Sequence, residues 1–281
     1  MPDAMLSSNP AVRRFRSFAR LSDVERVLLE EVSRPTRKLE ARNALIQEGD
    51  HLSGAFVVLE GLACRYKQRG SGRRQIMALL IPGDMVAFDT SLQSRMDHSI
   101  ETLSACHIAW VMPEMVSRLY QHPGLARGLR MSAWVNETTL HAWLMNLGAR
   151  TAVERLAHLF CELYIRHYVV GQTQGQSYDL PLTQADLADI TGLSHVHLNR
   201  SLQELRHREL IDLRNRRVTI RDWPGLKALA EFEGTYLHME EDAALIDIEE
   251  PLTGIWTGSL KPTKRFAFVG GKSVSVRVRR S

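Results

Sequence analysis

No apolar run in this 281-residue chain approaches the roughly 20 residues that a membrane-spanning helix needs. The N-terminus lacks the apolar core of a signal peptide and carries scattered arginines instead, Arg13, Arg14, Arg16 and Arg20. Hydrophobic residues make up 44% and charged residues 24%, a balance typical of folded domains rather than of disordered or collagen-like chains. We therefore expect a cytoplasmic protein without a membrane partner.

Cysteine is also scarce, with three residues in the whole chain. Cys64, Cys106 and Cys161 lie far apart and form no C-x-x-C pair, which argues against a disulfide framework and a zinc knuckle. We expect three reduced thiols in the core and no metal site.

Basic and acidic residues are separated at the C-terminus. Positions 231–250 hold eight acidic and no basic residues, and positions 251–281 hold seven basic and no acidic ones. We expect residues 239–281 to form a flexible tail, in which 266–278 has the alternation of a marginal hairpin. The net charge of +4 is too small to indicate nucleic-acid binding by itself.

Short strands separated by glycine turns are predicted between residues 22 and 112, after an opening helix at 22–32. Apolar or alternating runs occupy 56–59, 62–66, 76–81 and 107–112, and Gly70 and Gly72 mark a hairpin turn between two of them. Many short strands with regular glycines favour a small barrel or jelly roll.

A long helix is predicted at 125–148. Its apolar positions recur at spacings of three and four and form a heptad seam of Leu129, Ala133, Asn136, Leu140, Trp143 and Leu147. A polar residue such as Asn136 within a seam fixes the register of two-stranded coiled coils, so the pattern indicates a dimer. The alternative is that this face packs on the chain's own β-domain.

The segment 183–205 has the pattern of a helix-turn-helix. Thr183 followed by Asp186 forms a capping-box-like start, Gly192 ends the first helix, and Ser194 caps a second helix. We predict that the exposed face of the second helix reads bases in the major groove through Ser194, His195, Val196, Asn199 and Arg200.

A hairpin at 210–220, turning at Asn215 and Arg216, follows directly and is predicted to be a wing. Arginines outnumber acids around it, as a surface that contacts phosphates requires. The predicted phosphate-contacting residues are Thr183, Arg206, Arg214, Arg216 and Arg217.

The order of these parts resembles the Crp/Fnr family of bacterial transcription regulators, between about residues 22 and 223. The resemblance rests on E-G-D at 48–50, V-L-E-G at 58–61, I-P-G-D at 81–84 and L-T-Q-A-D-L-A-D-I-T-G-L-S at 182–194. R-R-Q-I at 73–76 and M-D-H-S at 96–99 look like a branch found in rhizobia and other alphaproteobacteria.

The resemblance implies an α+β protein: an N-terminal jelly-roll or double-stranded β-helix sensor domain (22–124), a dimerisation helix (125–148) and a C-terminal winged helix-turn-helix domain (149–223). It also implies a homodimer that binds a palindromic DNA site near promoters, with RNA polymerase as a partner. A cyclic-nucleotide-binding-like β-roll would transmit a signal from an effector pocket formed by Gly83, Asp84, Met96, Asp97 and His98.

Three departures from the family bear on the cofactor, which stays unknown. Met96 and Asp97 align where members that bind cyclic AMP have an Arg-Ser pair, and a carboxylate there repels a phosphate. No cysteine precedes Cys64 to hold an iron-sulfur cluster, and a lone His98 or His107 is a weak signal for haem. We therefore expect neither cyclic AMP, nor an iron-sulfur cluster, nor haem. We also expect a DNA half-site unlike those of familiar family members, because Val196 stands where a glutamate is common in the family.

Two other classes of protein are alternatives to a DNA-binding regulator. A cupin-like metalloenzyme needs clustered histidines, and the strands show no H-x-H spacing. A ligand-binding signalling module without DNA binding leaves the arginine-rimmed helix unexplained. The sequence therefore predicts a DNA-binding regulator and not an enzyme.

Overall fold

The computed structural model of the chain describes residues 7–34, 36–51, 54–86 and 95–238. The predicted tail at 239–281 lies outside these residues. The described residues belong to one compact unit, Met1–Asp247.

The N-terminal half is built mainly of strands. Its elements are α1 (Pro10–Arg16), α2 (Asp23–Val32), β1 (Thr36–Leu39), β2 (Ala44–Ile46), β3 (Ala55–Glu60), β4 (Ala63–Gln68), β5 (Arg74–Leu80), β6 (Met85–Val86), β7 (Ser99–Thr102), β8 (Cys106–Val111) and α3 (Pro113–Tyr120). The strands form two antiparallel four-stranded sheets, in the orders β1-β8-β3-β6 and β2-β7-β4-β5. Between them lies an apolar core that includes Phe56, Val58 and Ile100. We call this half the β-roll.

The predicted strands at 56–59, 62–66, 76–81 and 107–112 are confirmed as β3, β4, β5 and β8. β1 was missed because its sequence, Thr-Arg-Lys-Leu, is exposed and shows no apolar alternation. The predicted helix at 22–32 is confirmed as α2, which begins with a capping box between Ser22 and Glu25.

A second apolar core joins the outer face of the first sheet to the helices. Phe15 of α1, Leu29 of α2 and Leu129 are buried together there. Helix α1 lies very close to the long helix at Pro123–Ala149, because a Cβ atom at Gly128 of that helix would lie 2.4 Å from the Phe15 ring. This packing fixes α1 beside the long helix that follows the β-roll.

The C-terminal half is mainly helical. Its elements are α4 (Pro123–Ala149), α5 (Ala152–Val169), β9 (Thr173–Gln174), β10 (Ser177–Asp179), α6 (Gln184–Thr191), α7 (His195–His207), β11 (Ile211–Arg214), β12 (Arg217–Ile220), α8 (Trp223–Ala230) and a 3₁₀ helix at Gly234–Leu237. A third sheet has the order β11-β12-β10-β9. β9 and the start of β10 form a hairpin within 171–177, a segment rich in Gly, Gln and Ser whose composition is more typical of a loop.

The chain stays folded beyond residue 223, where the sequence pattern suggested an end. Trp223 begins α8, and its ring lies 5.2 Å from that of Tyr164 on α5. Among the described residues no helix is long and apolar enough to cross a bilayer. The α+β class, with a β-roll, a long helix and a helix-turn-helix, is confirmed.

Candidate nucleic-acid interface and effector cavity

Local side-chain bonds define both ends of the helix-turn-helix. Thr183 and Asp186 form a full capping box at the start of α6, and Ser194 Oγ accepts a hydrogen bond from the backbone N–H of His197 in α7. Such caps stabilise a helix by about 1 kcal/mol each. Gly192 ends α6 at a φ of +67°, a conformation that strains other residues. The predicted start, turn and second cap are confirmed.

Helix α7 has one buried and one exposed face. Leu198, Leu202 and Leu205 are buried against the rest of the unit. On the other side the predicted base-reading residues lie together, with Ser194, His195, Val196 and Arg200 exposed and Asn199 half-buried. The 68% exposure of Val196 leaves an apolar group uncovered in the middle of a polar face. This is the surface that a major-groove helix presents.

The wing is the hairpin of β11 and β12. Its turn residues Asn215 and Arg216 have φ values of +50° and +59°, the double positive φ of a tight hairpin turn. Arg214 and Arg216 are exposed at its tip, and Arg206 of α7 donates a hydrogen bond to the Leu213 carbonyl oxygen at 2.9 Å. The wing is therefore tied to the end of α7.

Four of the five predicted phosphate-contacting residues have partners for their side chains in the structure. Besides Arg206, these are Arg217 at 2.8 Å from an oxygen of Asp179, Arg214 at 3.0 Å from Asp212, and Thr183, whose hydroxyl donates to Asp186 at 2.7 Å. Arg217 would have to exchange a partner to contact a phosphate, whereas the exposed Arg216 would not.

The first helix of the helix-turn-helix is held against the β-roll by charged side chains. Arg42 donates two hydrogen bonds to Asp186, at 2.8 and 2.7 Å. Arg74 lies 2.9 Å from Asp186, 2.8 Å from Asp189 and within bonding distance of Glu101. We call these five residues the inter-domain ion network. Sequence reasoning identified Asp186 as a cap but assigned no role to the arginines, although Arg74 belongs to the R-R-Q-I signature.

Burial of Asp186 would by itself raise the pKa of its carboxyl group. The hydrogen bonds from Arg42 and Thr183 outweigh that effect and hold this pKa below its usual range. Asp186 is therefore an ionised, fully buried anchor between the two halves of the chain.

The predicted dimer seam on α4 is not one exposed face. Leu129 and Trp143 are buried within the chain, because Leu129 packs into the second core and Trp143 donates its indole N–H to Glu162 at 2.9 Å. Asn136 is half-buried and lines a cavity beside the β-roll. Leu129 and Trp143 therefore pack within the chain, as the alternative expected, whereas the place of Asn136 in a dimer seam stays a prediction.

Other predicted seam positions face outward. Ala133, Leu140 and Leu147 are exposed. Leu144, absent from the predicted seam, is 70% exposed beside them and is the most exposed large apolar side chain of α4.

The predicted effector residues fall into two groups. Asp97 and His98 line a cavity of about 250 Å³ between the β-roll and α4, and Asp84 bonds to Arg166, which also lines it. Met96 instead packs in the core between the sheets, and Gly83 lies against Pro10 and Arg14 of α1, so neither lines this cavity. The arginines of this cavity carried no sequence signal, because they come from separate elements.

The three cysteines are buried free thiols. Burial raises the pKa of Cys64 to about 12 and also raises those of Cys106 and Cys161. Thiols of this kind react poorly with oxidants. Among the described residues no group of three or more His, Cys, Asp or Glu side chains forms a metal site.

Comparison with known proteins matches both halves. Residues 36–122 match the cyclic nucleotide-binding domain family, and residues 154–229 match the Crp-like helix-turn-helix domain family. The chain is 30% identical over 192 residues to the nitrogen fixation regulation protein FixK of Azorhizobium caulinodans, covering 67% of this chain and 77% of that protein. It is 26% identical over 212 residues to the transcriptional activator protein FnrL of Cereibacter sphaeroides, covering 74% and 84%.

The structure of FixK2 from Bradyrhizobium japonicum is similar in fold, with a TM-score of 0.61 and 22% identity over 69% of this chain and 96% of that one. A β-roll followed by a long helix and a winged helix-turn-helix defines a DNA-binding regulator. The chain belongs to the Crp/Fnr family of transcription regulators.

Proposed function

We propose that this regulator binds a two-fold symmetric DNA site as a homodimer, with α7 of each subunit in the major groove. The observation that carries this proposal is the exposed face of α7 from Ser194 to Arg200, which lies beside the wing while the opposite face is buried. Asn and Arg on such a face can form bidentate hydrogen bonds with adenine and guanine.

The wing supplies contacts that do not depend on sequence. Arg206, Arg214, Arg216 and Arg217 lie on and around the hairpin that follows α7. Contacts of arginine with phosphates strengthen binding to any sequence and make it sensitive to salt. Binding to promoter DNA in the cytoplasm also brings RNA polymerase within reach, and we include it as a partner.

Selection of random DNA by the purified full-length protein tests this function. We expect an inverted repeat whose half-sites lie about one helical turn apart, because two α7 helices related by two-fold symmetry read the same groove face. A selected motif without two-fold symmetry would contradict the dimer. Failure to enrich any motif would contradict sequence-specific binding.

The β-roll is proposed to regulate this binding through an effector. The support is positional, since the inter-domain ion network joins the β-roll strand β5 to the first helix of the helix-turn-helix. A change in the β-roll therefore acts on the element that positions α7.

A further inference from the structure

The cavity between the β-roll and α4 is surrounded by arginines from three different parts of the chain. Arg14 comes from α1, Arg65 from β4 and Arg166 from α5. The side chains of Arg14 and Arg166 are only 5% and 7% exposed. Removing three guanidinium groups from water at one place is unfavourable unless anions compensate them.

The carboxylates near these arginines pair with Arg14 and Arg166 but not with Arg65. Asp84 is shared, lying 3.6 Å from Arg14 and 2.7 Å from Arg166, and the buried Glu162 lies 3.2 Å from Arg166. Asp97 accepts a hydrogen bond from His98 and lies 3.8 Å from Lys67. Among the described residues no carboxylate lies within 4 Å of a nitrogen of Arg65, and burial lowers the pKa of Arg65.

Three of the cavity-lining residues carry buried hydrogen-bond donors that have no partner among the described residues. Nη1 of Arg14 and the Nε atoms of Arg65 and Arg166 are buried without a hydrogen-bond partner among the described residues. Buried donors are almost always satisfied in native proteins, by protein, water or ligand. Three N–H donors on three cations around one cavity fit the oxygens of an anion.

His98 contributes the opposite kind of group. Its Nδ1 donates to Asp97 at 2.7 Å, and burial lowers its pKa, so the ring is neutral and the unpartnered Nε2 is an acceptor. A ligand that satisfies Nε2 carries an O–H or N–H donor. Met77, Leu79 and Val135 add an apolar wall.

We propose that this cavity binds a small organic acid, whose carboxylate contacts Arg14, Arg65 and Arg166 and whose hydroxyl donates to His98. Its volume of about 250 Å³ leaves room for a ligand of a few carbon atoms together with water. The ligand contacts the β-roll, α1, α4 and α5 at once. It would serve as the effector of the regulator proposed above, but its binding is a separate property of the cavity.

Ligand-observed NMR and thermal melting of the full-length protein, both without DNA, test the proposal. The probes are glycolate, lactate, acetate, inorganic phosphate and cyclic AMP. We expect saturable binding of glycolate or lactate at millimolar concentrations, with weaker binding of acetate because it lacks the hydroxyl donor. Because DNA is absent from these measurements, a lack of acid binding would not contradict the proposal of DNA binding. Likewise, a lack of DNA binding would not contradict the proposal of acid binding.

Two variants locate the site. Arg65→Gln is expected to weaken lactate binding about tenfold or more, the effect of losing a charge-assisted hydrogen bond. Ala78 lines the cavity, and Ala78→Leu narrows it without removing a charge. We expect this variant to weaken binding as well, which keeps the test valid if Arg65→Gln does not fold. Arg69→Gln, an exposed arginine of the same hairpin, is the matched control and is expected to bind as the wild type does.

Four results would contradict the proposal that this cavity binds a small organic acid. No saturable binding of either hydroxy acid up to about 20 mM would overturn the proposal. So would equal losses in Arg65→Gln and Arg69→Gln, a loss seen only in Arg216→Ala on the DNA-facing surface, or binding of cyclic AMP with no binding of the small acids.

Discussion

At the scale of single residues, Arg200 and Arg216 separate two ways of contacting DNA. Arg200 is exposed on α7, so Arg200→Ala should leave the fold intact. We expect it to cost about 1 to 3 kcal/mol of binding free energy and to relax preference at one base pair in each half-site. Binding to a library of single-base variants of the selected site measures both effects.

Arg216→Ala is the matched comparison, because Arg216 is exposed at the wing turn. We expect it to weaken binding to all sequences about equally and to lower the slope of log K against log salt concentration by about 1 per subunit. A uniform loss for Arg200→Ala, with no change in base preference, would show that it contacts phosphate instead.

His158 gives the fold a pH dependence. It is 2% exposed, its Nδ1 lies 3.0 Å from the Asn146 amide nitrogen, and its ring stacks on Tyr236. Burial, with the nearby charge of Arg150, lowers its pKa to about 3, against about 6.5 in an unfolded chain. Between these values the unfolded state binds more protons, so the free energy of unfolding falls as pH falls below about 6.5.

We expect His158→Phe to reduce the slope of unfolding free energy against pH by up to about 1.4 kcal/mol per pH unit between pH 6 and 4. His167 adds to the slope in both proteins, because burial and Arg166 lower its pKa to about 4. Urea unfolding at several pH values measures the difference, with exposed His141→Phe as control. Equal slopes in the wild type and in His158→Phe would disprove the assignment.

At the scale of elements, the helix-turn-helix was predictable because its signals are local. Thr183, Gly192 and Ser194 act on backbone groups within four residues of themselves, so their identity alone fixes helix ends. The buried half of α4 was not predictable in this way. Leu129 is covered by α1 and Trp143 bonds to α5, and the heptad spacing of these residues does not distinguish packing within the chain from packing in a dimer.

The exposed part of α4 carries the prediction for the dimer. Leu144 is 70% exposed, so Leu144→Glu should not disturb the single chain, but a charge in an apolar interface between helices is costly. We expect the variant to shift the protein from dimer to monomer in sedimentation analysis and to lose affinity for the two-fold site. Val24→Glu, at a 66% exposed position on α2, should remain dimeric. A dimeric Leu144→Glu protein would place the interface elsewhere.

At the scale of the whole molecule, buried charges connect parts that are distant in sequence. Arg166 of α5 bonds to Asp84 after β5 and to Glu162, which also accepts hydrogen bonds from Trp143 of α4 and Tyr236 near the end of the described chain. Glu162 and Arg166 lie one helical turn apart and look like an ordinary surface pair in the sequence. Their role depends on the β-roll and α4 packing over α5, which no local pattern specifies.

The inter-domain ion network makes a quantitative prediction about how the two halves are coupled. The Arg74 and Asp189 side chains, 18% and 29% exposed, are 2.8 Å apart and join the β-roll to α6. Because the pair is partly buried and hydrogen-bonded, a double-mutant cycle of Arg74→Gln and Asp189→Asn should give a coupling free energy of about 1 kcal/mol or more. Chemical unfolding of the full-length protein measures it. The control pair is Glu204 of α7 and Arg208, the residue that follows α7. These side chains are 2.7 Å apart but 40% and 50% exposed, so solvent screening should keep their coupling below about 0.5 kcal/mol. If the Arg74–Asp189 coupling were no larger than that of the control pair, the network would not hold the helix-turn-helix against the β-roll, and a signal in the β-roll would need another path to α7.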